Sequence, residues 1–253
     1  MRDWVKNELK TGKIKKIYDI TLKSLFDRQE EDGYFPESYT GKYDGAFIRS
    51  IGAQSLFLTE MEMYDKAENI MCQILEIIKE FNLPRIPHWY SVKDLYLKMK
   101  KDPLIDMEDQ IDGTGHIILA YATLCLEGNR KEFEDKYYDY MCTEMIKAYS
   151  YPYFMDKSEK LPKLVIDWDN FRNWINTVVE KEPILNKDAL NLVRNFHFEG
   201  TRKAICECYE ILGQSFIGAA ADKMLELAKR RKDNKFANWL SKKIEIHMDL
   251  IVV

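Results

Sequence analysis

Residues 106–126, DMEDQIDGTGHIILAYATLCL, constrain this chain more than any other stretch. The acids Asp106, Glu108, Asp109 and Asp112 run into Gly113-Thr114-Gly115, and an almost unbroken apolar run follows from Ile117 to Leu126. A helix that is apolar nearly all round is buried on most sides. Its acidic start must then lie at an open end, because a buried carboxylate without partners is costly. The arrangement recurs twice: Tyr43-Asp44-Gly45-Ala46-Phe47 opens one apolar segment, and Phe198-Glu199-Gly200-Thr201 opens another. Three helices that begin this way, side by side, would direct Asp44, Asp112 and Glu199 toward one opening.

Each of these helices is followed by a tight turn and an amphipathic partner. The spacing predicts helices over 44–58 and 64–82, over 112–127 and 131–149, and over 200–212 and 216–231, with Gly213 as the C-terminal stop of the fifth. Ala67, Ile70, Met71, Ile74, Leu75 and Ile78 form the buried stripe of the second helix. Further helices are expected within 3–30, at 93–101, near 168–180 and over 235–250. His88-Trp89-Tyr90 falls in a proline-punctuated connection and is expected to be loop, and no segment reads as a strand. A buried helix followed by a half-exposed one, repeated, predicts two layers: inner helices and an outer ring. The chain is therefore expected to be all-α, an (α/α) toroid of helical hairpins in one domain over residues 1–253. Its length is short for twelve helices with their loops, which leaves a complete or an incomplete ring open. The long aromatic-bearing loops precede the inner helices, so a binding cleft is expected at that end.

Composition narrows the function class. With 38 Lys and Arg against 42 Asp and Glu, the net charge is −4 and no basic stripe is visible, so neither nucleic acid nor membrane is expected as a partner. No apolar run approaches the roughly 20 residues needed to span a bilayer, and the N-terminal residues show no signal-peptide h-region. The cysteines (Cys72, Cys125, Cys142, Cys206 and Cys208) are odd in number and sit mostly in apolar helical surroundings. They read as reduced thiols of a cytoplasmic protein. His116 and His197 follow acid–Gly sites, but their spacing fits no metal-ligand pattern, and no Gly-rich phosphate loop or Ser/His/Asp arrangement appears. No cofactor is expected.

Three blocks, covering about half of the chain, resemble the six-hairpin glycosidases, the (α/α)6-barrel enzymes that include glucoamylases and trehalases. They are YDGAFIRSIGAQSLFLTEMEMYDKAENIM, DQIDGTGHIILAYATLC and NFHFEGTRKAICECYEILG. The first is similar to an aromatic-or-Arg–Asp segment, the second to a Gln-x-Asp-x-x-Gly segment, and the third to a later inner-helix start near an acid on the cleft. Tyr43 stands where a glucoamylase carries arginine, and no Trp-Glu pair of the kind that supplies the general acid is present. The resemblance implies a glycoside hydrolase acting on an α-glucosidic or related oligosaccharide. Asp44, Gln110 and Asp112 would hold sugar hydroxyls.

Inverting hydrolysis needs two carboxyls roughly 6.5–9.5 Å apart, one protonated and one ionised. Glu199, between Phe198 and Gly200, has the apolar neighbours that raise a carboxyl pKa as a general acid requires. Asp112, at a helix start, suits the ionised role. Glu199 and Asp112 are thus the candidate catalytic pair, although no residue matches the family's catalytic base. Asp44 and Asp112 equally suit plain helix caps, and Glu199 a solvated first turn. Arg49 is placed to brace an acid. Trp89 and Tyr90 could stack on a sugar ring or anchor their loop in the core. Two other classes remain open. Gln29-Glu30-Glu31-Asp32-Gly33 resembles the Gln-x-x-Asp-Gly turns of prenyltransferase and triterpene cyclase toroids, and a non-catalytic helical binding protein would need no acid–base pair.

Overall fold

The computed structural model describes residues 7–8, 10–29, 33–37, 45–83, 86–91, 104–106, 111–150 and 211–251. Among them are seven α-helices and three short strands. In chain order these are α1 (Lys13–Phe26), β1 (Ala46–Phe47), α2 (Ile48–Glu60), α3 (Tyr64–Glu80), β2 (Trp89–Ser91), β3 (Leu104–Asp106), α4 (Ile111–Gly128), α5 (Lys131–Ser150), α6 (Ile211–Arg231) and α7 (Asn234–Ile251).

Six of the helices pair into hairpins: α2–α3, α4–α5 and α6–α7. Each hairpin turns at one left-handed residue, Glu62 (φ 57°), Asn129 (φ 51°) and Lys232 (φ 62°) respectively. In the first and third turns the next residue closes back onto the helix: Met63 N–H donates to Leu58 O at 2.8 Å, and Asp233 N–H to Ala228 O at 2.9 Å. These bonds satisfy carbonyls that the helix end would otherwise leave without a partner.

The first helices of the hairpins lie parallel in one layer. Gly52 of α2 lies against His116 of α4, and Gly113 of α4 lies near Ile48 of α2. Gly115 of α4 meets Phe216 and Ile217 of α6, and at the far end Arg230 of α6 donates to the carbonyl of Cys125 in α4 at 3.0 Å. So α2, α4 and α6 run in one direction with α4 in the middle. The central place explains the sequence of α4, in which Asp112 to Ile118 and Ala120 to Cys125 are all buried. The partner helices α3, α5 and α7 pack outside and show water their charged faces. In α3 the buried set is Ala67, Ile70, Met71, Ile74, Leu75, Ile77 and Ile78, the spacing of a single stripe.

Two predicted hairpins, α2–α3 and α4–α5, are present; the third is not as expected, since 200–210 lie outside the described residues and 216–231, expected as an outer partner, belongs to α6 beside α4 and turns into α7. The third inner helix spans 211–231, and Gly213 lies buried inside its first turn instead of ending a helix at 212. One glycine costs a helix only about 1 kcal/mol, which packing readily offsets. The predicted helix over 44–58 begins at Ile48, because 46–47 form β1. His88-Trp89-Tyr90 leads into strand, not loop. The strands form an antiparallel sheet in the order β1-β2-β3, with Phe47 opposite Trp89, Ala46 opposite Tyr90 and Trp89 opposite Asp106. Strands this short carry no alternation to read. The predicted helices at 93–101 and 168–180 lie outside the described residues. No helix among the described residues is long and apolar enough to cross a membrane.

Candidate functional site at the start of the inner helices

Because α2, α4 and α6 are parallel, their N-terminal ends share one end of the layer. The sheet lies at that end, since β1 runs directly into α2. Phe47 caps α2 with extended backbone and no side-chain hydrogen bond. The Ile48 N–H is satisfied instead by the His88 carbonyl at 3.0 Å, just before β2.

Asp112 and Arg49 meet there. Asp112 is the second residue of α4 and is 8% exposed. Its Oδ1 accepts the Gly113 N–H at 2.8 Å, and its Oδ2 lies 3.7 Å from Nη1 of Arg49, the second residue of α2. A carboxylate in the first turn is favoured by the helix dipole, whereas a guanidinium there is not. The pair therefore offsets the unfavourable position of Arg49 and joins the two helix starts. Gly113 faces Ile48 with room to spare: a Cβ there would lie 3.5 Å from the nearest Ile48 carbon.

His116 stands one turn further into α4 and is buried. Its Nδ1 is 2.8 Å from the Asp112 carbonyl. A carbonyl only accepts, so Nδ1 carries the proton and Nε2 the lone pair. Burial is the main influence and moves the His116 pKa below the ordinary histidine value. The ring stacks on Phe216, with centroids 3.4 Å apart, so α6 reaches the same place.

The aromatic residues divide. Trp89 is half-buried in β2 and stacks on Phe47, with centroids 6.1 Å apart and planes at 28°. Gly45 lies under it, where a Cβ would come within 2.9 Å of the indole. Tyr90 is a core residue with no exposure. Its hydroxyl donates to Gln73 Oε1 at 2.6 Å, and its ring meets Tyr34 edge to face. Of the two aromatics read as sugar platforms, only Trp89 has a surface to offer. Asp44, Gln110 and Glu199 lie outside the described residues.

The structure adds a carboxylate that the sequence did not single out. Glu37 is half-buried, and its Oε2 accepts from the hydroxyl of Ser50, next to Arg49 in the first turn of α2, at 3.1 Å. Its backbone is fixed on both sides: the N–H donates to Gly45 O at 2.9 Å, and the carbonyl accepts from Arg28 Nη1 at 2.8 Å. Glu37 and Asp112 thus hold neighbouring residues of one helix start.

At the opposite end of the layer is an open groove of about 660 Å³, lined in part by Asp65, Glu68, Cys72 and Arg130. Arg130 pairs with both acids, so its charges are matched within the protein. No three or more His, Cys, Asp or Glu side chains among the described residues are grouped so as to hold a metal ion. Comparison of the chain with protein-family models, curated proteins and solved structures finds no match.

Proposed function

We propose that this protein is a glycoside hydrolase of the six-hairpin kind, acting on an α-glucosidic or related oligosaccharide at the N-terminal end of its inner helices. One observation carries the reading: parallel inner helices begin at one end, where Asp112 pairs with Arg49 and the half-buried Trp89 stacks on Phe47, two residues before Arg49. Such a combination suits a sugar. Its hydroxyls take hydrogen bonds from and to charged groups, and its apolar face matches an aromatic plane. A prenyl chain or a triterpene would call for apolar walls, and the Asp112–Arg49 pair speaks against that. On this reading the ring of hairpins continues through residues beyond those described.

Hydrolysis would proceed with inversion. Glu199 gives its proton to the glycosidic oxygen as the bond to the anomeric carbon breaks. A water attacks that carbon from the other face, and its proton passes to an ionised carboxylate. Asp112 is the candidate for that carboxylate, while Asp44, Gln110 and Arg49 hold the sugar and Trp89 supports its ring.

Malto-oligosaccharides and aryl α-glucosides are the substrates to try, with an aminosugar inhibitor such as acarbose as the binding probe. The reading expects the inhibitor to raise Tm and the substrates to be cleaved. Glu199→Gln should abolish turnover while retaining the Tm shift. A Tm shift without turnover by the wild type would leave a sugar-binding protein. Neither shift nor turnover across α- and β-linked substrates overturns the proposal.

A further inference from the structure

The buried pair Tyr149–His247 takes no part in the proposed site but lies at the same end of the layer, where Gly218, two residues beyond Phe216, faces the His247 ring. Tyr149 is the penultimate residue of α5 and His247 is near the end of α7; both are 1% exposed. The Tyr149 hydroxyl is 2.6 Å from His247 Nδ1. The two rings meet edge to face, with centroids 5.7 Å apart, and Trp239 of α7 closes on Tyr149 in the same manner at 6.3 Å. His247 Nε2 is buried and has no hydrogen-bond partner among the described residues. We infer that this hydrogen bond is an acid-sensitive fastener, which holds the end of α7 against α5 while His247 is neutral and releases it when the imidazole takes a second proton.

The chemistry of the ring supports this. A neutral imidazole has one N–H and one lone pair, so one bond to Tyr149 uses one nitrogen and leaves the other, Nε2, buried without a bond among the described residues. A protonated imidazole has two N–H groups and a positive charge. Tyr149 could then only accept, and Nε2–H would be a buried donor on a cation, with nothing among the described residues to receive it. The nearby charges do not compensate. Asp222 of α6 acts on Tyr149, but burial alone accounts for the shift at His247. Gly218 of α6 presents only backbone near the ring, since a Cβ there would be 3.8 Å from Cε1. One turn earlier in α7 stands Lys243, a like charge. In the last turns of α5 the charged side chains Glu144 and Lys147 pair with each other.

Burial moves the His247 pKa from its ordinary 6.5 down to about 4. In that window the unfolded chain binds the proton and the folded chain does not. The contribution is therefore complete above about pH 6.5 and is lost as pH falls toward 4.

The experiment is Tm against pH for the wild type and for His247→Gln, which keeps a hydrogen-bonding group but does not titrate. The wild type should lose roughly 5 °C more than the variant between pH 7 and pH 5. Amide exchange of the wild type, corrected for intrinsic pH dependence, provides a second reading. Residues 243–251 should lose protection on acidification while α3 keeps its own. Parallel Tm curves, or equal loss of protection in α3 and in 243–251, would overturn the inference.

Discussion

A side chain at position 52 or 115 would push the inner helices apart. A Cβ on Gly52 would stand 2.6 Å from His116 Cβ and 2.8 Å from the His116 carbonyl carbon. One on Gly115 would stand 2.9 Å from both Cβ and the carbonyl carbon of Phe216. Backbone cannot turn aside as a side-chain tip can, so Gly52→Ala and Gly115→Ala should each destabilise by about 1–3 kcal/mol, the usual cost of overpacking. Gly113→Ala is the control. Its Cβ would find ordinary contact at 3.5 Å, and alanine's better helix propensity, about 1 kcal/mol, should offset any loss. Urea unfolding of the three variants would check the ranking. A second residue-scale expectation concerns Glu37. If sugars bind beside Asp112, Glu37→Gln should raise KM roughly tenfold, about the worth of one hydrogen bond to a charged group, and leave Tm within a few degrees. Steady-state kinetics on the best substrate would show it. Glu37 was not legible in the sequence because its partner Ser50 is thirteen positions away. Tyr90 was ambiguous for a similar reason: its hydroxyl meets Gln73 of α3, seventeen positions away.

Among the elements, a charged joint ties α4, α5 and α6 at the C-terminal end of the inner helices. Glu134 of α5 is 2% exposed. It accepts from Arg230 and from Arg231 of α6, the latter at 2.5 Å, while Arg230 also reaches the last carbonyls of α4. The two arginines thus meet the negative ends of two helix dipoles and one buried carboxylate. Removing that carboxylate leaves Arg230 with the α4 carbonyls and Arg231 with Asp135, both in partial contact with water, so Glu134→Ala should destabilise by about 1–2 kcal/mol. Part of the loss should return in Glu134→Ala/Arg231→Leu, which removes one cation as well. A double-mutant cycle by urea unfolding would measure that coupling. This joint also shows what sequence reading can reach. The cationic run at 229–232 was placed correctly at a helix end, because that preference is local. The first two hairpins were legible too, since each apolar run is followed by a turn and a striped partner; the third was not, because Gly213 was read as a stop and 216–231 as an outer partner, whereas 211–231 is one helix beside α4. The sheet was not, since two- and three-residue strands exist only through their pairing.

At the scale of the whole molecule, the position of α4 decides how the protein comes apart. It packs against α2 on one side and α6 on the other, and its own partner α5 is tied to α6 through Glu134. No hairpin can leave without exposing the apolar surface of α4, so the described core should unfold as one cooperative unit. Cys125 reports on that event. It is fully buried in α4 and carries a thiol whose pKa burial pushes up to about 12, so in the folded state it is both inaccessible and protonated. Cys72 and Cys142 are only half-buried. In a variant that keeps Cys125 and replaces the other four cysteines with serine or alanine, labelling by a thiol reagent should be limited by global opening. Its apparent free energy, taken from the rate relative to a free thiol, should equal the value from urea unfolding and fall in step with it across Gly52→Ala and Glu134→Ala. A Cys125 that labels well before the core melts would mean that α4 opens locally, and that the three hairpins do not share one core.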